Sequence, residues 1–115
     1  MATVAEVLDG TLRLLGVLNI GGTISATDST RMQEAYDVVF DDLKDGGLAT
    51  WASAGPVPDK MRPHVQSLMA IDAIDDYFVP EARYQRIVNK SRIAKREIRR
   101  LSIPDYESLD EPVDF

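Results

Sequence analysis

Apolar residues recur at intervals of three and four along most of this chain, a spacing that puts them on one face of an α-helix. The first helix is predicted over residues 3–18, where Thr3 and Glu6 have the spacing of a capping box. Glycines in the turn at residues 19–22 are typical of a helix end. The second helix is predicted over residues 27–45 and stops at Gly46. Its inward positions are Met32, Ala35, Tyr36, Val39, Phe40 and Leu43.

Two more helices are predicted in the second half of the chain. A loop at residues 48–58 precedes a third helix, which begins between Asp59 and Pro63, because proline is tolerated in a first helical turn, and runs to Phe78. Pro80 then breaks the pattern and opens a fourth helix over residues 80–101. The inward positions of these two helices are Val65, Leu68, Met69, Ala73 (or Asp72), Tyr77, Tyr84, Ile87, Val88, Ser91, Ala94, Ile98 and Leu101.

These elements predict an all-α fold. It consists of a four-helix, bundle-like domain over residues 1–101, followed by an extended acidic C-terminal tail over residues 102–115. A chain of 115 residues fits a single domain. No stretch makes a good strand, and an apolar content of 44% beside 28% charged residues is ordinary for a globular protein.

The composition argues against several classes of protein. Without cysteine there is no disulfide framework and no thiolate metal site, which fits a reducing compartment. No run approaches 18 apolar residues, so we expect no membrane span and no membrane partner. Asp9 and Arg13 interrupt the first apolar stretch, and no basic segment precedes it, so we expect no signal peptide.

Charge is sorted by position along the chain. Residues 80–101 carry eight bases against Glu81 and Glu97, a net charge of +6, whereas residues 102–115 carry five acids and no base. Residues 1–79 carry five bases and twelve acids. A basic helix between an acidic body and an acidic tail predicts a protein that docks on copies of itself, on a partner or on nucleic acid. The eight bases, which we predict to form an interface or a DNA-channel face, are Arg83, Arg86, Lys90, Arg92, Lys95, Arg96, Arg99 and Arg100.

Several motifs follow one another in a distinctive order. The segment LRLLGVL at residues 12–18 is followed by a glycine-rich turn and by ISATD at residues 24–28. After the second helix come a leucine and a tryptophan, then a helix that ends in two aromatic residues and a proline, and last the basic helix. These landmarks are Leu48, Trp51, Tyr77, Phe78 and Pro80.

This order resembles the head-to-tail connector proteins of tailed bacteriophages, above all the adaptor, or packaged-DNA stabilisation, family of short-tailed phages. The resemblance covers residues 3–101. It implies an α-helical subunit that assembles as a ring, commonly of twelve copies, beneath the portal protein. Such a ring extends the DNA channel, helps to retain packaged DNA and offers a docking platform to a downstream tail or nozzle protein. It also implies a location in the virion, at the head-to-tail interface, after synthesis in the host cytoplasm.

The C-terminal tail combines acids with spaced apolar residues. Members of the family often use a C-terminal extension to grip the portal or a neighbouring subunit, and acidic-plus-apolar segments suit basic and apolar grooves. The alternative is a frayed terminus without a partner. The tail residues that we predict to bind the portal or a neighbour are Tyr106, Leu109, Val113 and Phe115.

The basic helix also has two interpretations. It is either a solvated face that keeps the helix soluble, or an interface or channel wall, because eight bases repel one another unless an anionic surface relieves them. Contacts to packaged DNA would then be made to phosphates, without sequence preference. Helical spacing places Arg83, Arg86 and Lys90 on one ridge and Arg96 and Arg100 on another.

Candidate catalytic groups are few. His64 is the only histidine, so we interpret it as a structural or surface residue and predict no enzyme, no catalytic or metal site and no cofactor. Trp51 is predicted to close one end of the bundle as part of the core; the alternative is an exposed interface anchor. Two groups of aspartates could pair carboxylates or hold a divalent cation, but on helices such groups usually form the solvated face. They are Asp41, Asp42, Asp45, Asp72, Asp75 and Asp76.

The head-to-tail adaptor is therefore the first hypothesis. The second is a small helical nucleic-acid-binding or regulatory module that tracks phosphates with residues 80–101. A third is an enzyme that acts on cell-wall material through paired carboxylates. The first two hypotheses differ in how the isolated chain binds duplex DNA. A nucleic-acid-binding module should bind it with a strong salt dependence, whereas an adaptor should bind it only weakly.

Overall fold

The computed structural model describes residues 1–17 and 22–102. They form four α-helices: α1 (Val4–Leu15), α2 (Ala26–Asp45), α3 (Arg62–Ala73) and α4 (Glu81–Ser102). A short 3₁₀ turn, Ile74–Asp76, continues α3. Within the described residues there is no strand element, and the only ladder contact is an isolated antiparallel bridge between Ala2 and Val57. The predicted all-α, four-helix fold is confirmed.

Helix α3 is the centre of the bundle, because α1, α2 and α4 all pack against it. Its sequence explains this position. Small and apolar side chains lie all around the helix, as expected for a helix enclosed by others. Its buried residues are Val65, Ser67, Leu68, Met69, Ala70 and Ala73. Its predicted start is also confirmed, since α3 begins at Arg62 with Pro63 in the first turn.

Helix α1 begins with the predicted capping box. The Glu6 amide donates to the Thr3 hydroxyl (3.2 Å), and the Thr3 amide donates to the Glu6 carboxylate (2.8 Å). The hydrogen bonds that the Thr3 amide and hydroxyl donate to the Glu6 carboxylate lower the pKa of Glu6. The predicted end of the helix at residue 18 is wrong, because Gly16 takes a left-handed conformation (φ +83°) and its amide turns back to the carbonyls of Leu12 and Arg13.

Helix α2 has the predicted inward stripe. All six of its predicted inward positions are buried, and the Ser25 hydroxyl caps the helix by accepting from the Asp28 amide at 3.1 Å. Trp51, in the loop after α2, packs against this stripe: its indole N–H donates to the Tyr36 hydroxyl (3.1 Å), and its ring meets Phe40 edge to face. The prediction that Trp51 belongs to the core is confirmed.

Helix α3 ends earlier than predicted. The α-helical bonds stop at Ala73, and Tyr77 is already extended (φ −129°, ψ 150°). A tertiary contact outweighs helix propensity here, since the Tyr77 hydroxyl donates to the Asp28 carboxylate (3.0 Å) on α2. The residue before a proline also disfavours helix, and α4 starts only after Pro80, at Glu81.

Helix α4 buries a narrow stripe, of which Ile87, Ala94 and Ile98 are the fully covered members. Its last residue is fixed to the rest of the domain, because the Ser102 hydroxyl donates to the Leu48 carbonyl at 3.1 Å. None of the helices in the described ranges is long and apolar enough to cross a membrane. The tail beyond Ser102, with the predicted sites Tyr106, Leu109, Val113 and Phe115, lies outside the described residues.

Candidate interaction site

The eight bases of α4 lie on three sides of its buried stripe. Arg83, Arg86 and Lys90 line a cleft between α4, α1 and α3. Lys95 and Arg99 line a second cleft, between α4, α2 and α3. The remaining three point away from the bundle and are exposed: Arg92, Arg96 and Arg100. The structure thus separates the two ridges that helical spacing predicts, one in the first cleft and one on the outer surface, and adds a third group of bases in the second cleft.

The first cleft, which we call the basic cleft, has a volume of about 490 Å³. Its cationic side chains come from two helices, because Arg13 of α1 joins the three bases of α4. His64 of α3 also lines it. Its other lining residues are Gly10, Leu14, Pro63, Gln66, Ser67 and Ile93. No carboxylate lines this cleft among the described residues, so it can accommodate an anion.

Within the described residues, Arg83 is the one base of the cleft with a hydrogen-bond partner. Its guanidinium donates to the Leu14 carbonyl at 3.2 Å, at the end of α1. That end carries the negative pole of the helix dipole, which favours a cation there. Gly16 makes the approach possible, since a Cβ at residue 16 would lie 3.0 Å from Nε of Arg83. Arg83 thus joins α4 to α1, while Arg13, Arg86 and Lys90 form no salt bridge within residues 1–17 and 22–102.

Sequence reasoning missed Arg13. It is one of only five bases in residues 1–79, and although it lies in the LRLLGVL segment, nothing in that segment marks it as part of a basic site. Its role becomes visible only when α1 is placed beside α4. The spacing of residues within either helix carries no information on that pairing.

The second cleft, which we call the apolar cleft, has a volume of about 380 Å³. Its floor and walls are mostly apolar, and Val38 on its rim is 55% exposed. Two bases and two carboxylates also line it. The full lining is Val38, Val39, Asp42, Leu43, Leu48, Leu68, Ile71, Asp72, Lys95 and Arg99.

Only one base on the outer surface has an ionic partner in the described part of the chain. Arg100 pairs with Glu97 one turn earlier, at 2.8 Å, and its hydrogen bond lowers the pKa of Glu97. Both groups are on the same exposed helix, so the pair contributes little to stability. Arg92 and Arg96 make no salt bridge to the residues described.

Two of the six aspartates that we considered as candidate ligands, Asp72 and Asp76, are held by an arginine instead. Arg31 of α2 forms salt bridges with Asp76 and with Asp72 (3.6 Å), and it also donates to the Asp72 carbonyl. The hydrogen bond with Asp76 raises the pKa of Arg31. Among the described residues no group of three or more His, Cys, Asp or Glu side chains is arranged to hold a metal ion.

Comparison of the chain with protein-family models, with curated proteins and with solved structures gave no match. The resemblance to phage adaptors therefore stays a prediction that depends on the motifs of this sequence.

Proposed function

We propose that this chain is a structural protein of a bacteriophage virion, a head-to-tail adaptor that assembles as a ring beneath the portal protein. The ring, of twelve copies by the resemblance, extends the DNA channel, helps to retain packaged DNA and presents a platform for the next tail or nozzle protein. Its action is assembly, without catalysis or a cofactor.

The observation that supports this proposal most is the opposite charge of two helices on either side of α3. Helix α2 carries six acids and two bases, a net charge of −4, and α4 carries eight bases and two acids, a net charge of +6. Both helices pack on α3, and the apolar cleft separates them. The acids on the outer side of α2 are exposed: Glu34, Asp37, Asp41 and Asp45.

Within the described residues these charges are mostly without an ionic partner. The salt bridges of the described residues leave all six acids of α2, and seven of the eight bases of α4, without an ionic partner. A closed ring needs a heterologous interface, with two different surfaces on each protomer that fit each other. An acidic α2 and a basic α4 provide such a pair, and in a ring many individually weak contacts reinforce one another.

The experiment mixes the full chain with the portal protein encoded with it and images the particles by negative-stain electron microscopy. We expect an extra ring of density below the portal. Reversing two outward charges of α4, Arg92→Glu with Arg96→Glu, should abolish that ring. The matched control is Lys60→Glu with Arg62→Glu, which changes the net charge equally at exposed positions on neither α2 nor α4. If the unmodified chain adds no density to the portal, the proposal is wrong.

The basic cleft favours a second candidate, a helical module that binds nucleic acid. Arg13, Arg86 and Lys90 converge there without a carboxylate, which suits phosphate groups. A binding module shifts duplex DNA as an isolated protein at physiological salt, whereas an adaptor binds free DNA weakly and needs the portal. A titration of the isolated chain with duplex DNA at physiological salt therefore distinguishes the two candidates.

A further inference from the structure

Phe78 is the most exposed large apolar side chain of the described residues, with 95% of its surface accessible. It lies in the segment between the 3₁₀ turn and α4. A phenyl ring in water has no folding role, and exposed aromatic rings are often the anchors of protein interfaces.

The residues on both sides of Phe78 are fixed. Tyr77 is anchored to α2 through its hydrogen bond to Asp28, and Val79 packs against the core. The Pro80 carbonyl accepts from the Tyr84 amide (2.9 Å) and so begins the bonding pattern of α4. The phenyl group is therefore held by a segment whose neighbouring residues are already fixed. A partner that binds this ring loses little free energy to further ordering of the chain.

The apolar cleft between α2, α3 and α4 has the size and chemistry to receive such a group. Its volume of about 380 Å³ exceeds the roughly 150 Å³ of an engineered cavity that takes up benzene. Leu48, Leu68 and Ile71 offer apolar contacts, and Val38 exposes an apolar rim.

Phe78 does not fill the cleft of its own chain, as its exposure shows. The two sites are also separated along α2. Tyr77 is attached at Asp28, and Val38 lies ten residues further on, which is about 15 Å along a helix. The exposed ring and the cleft are thus two different surfaces of one protomer.

The charges around the two surfaces are complementary. Phe78 lies between Asp75 and Glu81, both exposed and both without a salt bridge to any described residue. In the cleft, Lys95 and Arg99 are likewise unpaired within the described ranges. Of the two carboxylates there, Asp72 shares the charge of Arg31 with Asp76, so that the two bases are opposed by Asp42 and only in part by Asp72.

We infer that Phe78 of one copy of this chain inserts into the apolar cleft of the next copy, in a head-to-tail contact. The inference rests on the proposed function in one respect: repetition of this heterologous contact would build the adaptor ring. The occupant of the cleft is thus a second copy of this chain.

Sedimentation velocity of the full chain over a concentration series tests the contact. Phe78→Ala should weaken self-association at least tenfold and leave thermal unfolding unchanged, because the ring is exposed. Val38→Glu should do the same by placing a charge on the rim of the cleft. The matched control, Ile93→Ala, removes a 46% exposed apolar residue that lines the basic cleft instead and should associate as the unmodified chain does.

Mixing the two defective variants makes the test specific for a head-to-tail contact. Phe78→Ala keeps an intact cleft and Val38→Glu keeps an intact Phe78, so an equimolar mixture should form a heterodimer that cannot grow further. Failure of the mixture to dimerise overturns the inference. So does normal association of Phe78→Ala, or loss of association on removal of residues 103–115 with Phe78→Ala unaffected, since the tail would then be the occupant.

The result also separates this inference from the proposed function. If the unmodified chain stays monomeric at every concentration but adds a ring to the portal, the contact between Phe78 and the cleft is refuted while the adaptor proposal survives. If it associates through Phe78 but never binds the portal, the adaptor proposal falls and the contact survives.

Discussion

Arg83 donates a hydrogen bond from its guanidinium to the backbone carbonyl of Leu14 (3.2 Å), and so joins the first turn of α4 to the last turn of α1. These residues are 69 positions apart in the chain. The contact places a cation at the negative end of the α1 dipole. It also provides a charged donor for a carbonyl near the helix end that has no partner within the helix.

Replacing Arg83 by alanine should therefore lower the free energy of unfolding by about 1.5 kcal/mol, the lower end of the range for a hydrogen bond to a charged group, because the side chain is only half-buried. Urea denaturation measures this change. Arg92→Ala, on the exposed side of the same helix, is the matched control and should have little effect. Equal stabilities of the two variants would mean that the bond to Leu14 does not stabilise the domain.

Gly16 should be sensitive to substitution for two reasons that can be separated. Its φ of +83° strains any other residue, and a Cβ there would lie 3.0 Å from the Arg83 side chain. Gly47 has a similar φ of +74° but no atom near its missing Cβ. Gly47→Ala should thus cost about 1 kcal/mol from strain alone, and Gly16→Ala should cost more. Equal losses in urea denaturation would show that Arg83 moves aside freely.

Arg31 joins α2 to the end of α3 through its salt bridges with Asp72 and Asp76. Its side chain is only 24% exposed, so the bridge is better shielded than a fully solvated pair. Arg31→Ala should destabilise the fold by about 1–2 kcal/mol, measured by chemical denaturation. Lys44→Ala, which removes a base without a salt bridge from the same helix, should leave stability close to that of the unmodified chain.

Tyr77 makes stability depend on alkaline pH. Burial, helped by the hydrogen bond to Asp28, raises the pKa of Tyr77 to about 12, whereas an unfolded chain ionises near 10. Between pH 10 and 12 the unfolded state therefore loses this proton first, so that the free energy of unfolding falls as pH rises. Tyr77→Phe should make the free energy of unfolding depend less on pH between pH 10 and 12. Tyr84→Phe, at an exposed tyrosine of α4, is the control and should leave that pH dependence unchanged.

The sequence is most informative where one helix face carries the signal. The buried stripe of α2 and the capping box of Thr3 and Glu6 depend only on local spacing, and both predictions are confirmed. The predicted ends of α1 and α3 were wrong. Gly16 adopts a left-handed conformation before the predicted end of α1, and Tyr77 leaves the helix to reach Asp28. The first outcome is a local property of a glycine near the helix end, and only the second depends on a neighbour distant in sequence.

The candidate site likewise combines features that local spacing predicts with features that depend on how the helices pack. Charge sorting identifies α4 as the basic element, and helical spacing divides its bases into ridges, but neither says which helix packs beside each ridge. Only the packing of α1, α2 and α3 decides that Lys90 faces the basic cleft while Arg99 faces the apolar cleft. Arg13 joins the site for the same reason, and the exposure of Phe78 follows from the early end of α3.

The last prediction concerns duplex DNA. The salt dependence of its binding distinguishes phosphate contacts in the basic cleft from attraction to the summed positive charge of α4. The isolated chain should bind a short duplex weakly, with an affinity that falls as salt rises. If phosphates enter the basic cleft, Arg86→Ala with Lys90→Ala should reduce the slope of log affinity against log salt by about two, because each lost phosphate contact removes about one. Fluorescence anisotropy over a salt series measures the slope.

The control pair is Arg92→Ala with Arg96→Ala, which removes the same charge from the outer surface of α4 and should change the slope less. An equal change in both pairs would mean that DNA senses only the summed charge of the helix, and the basic cleft would then have no special role. Tight binding by the unmodified chain at physiological salt would instead favour the nucleic-acid module over the adaptor, since an adaptor meets DNA only inside an assembled channel.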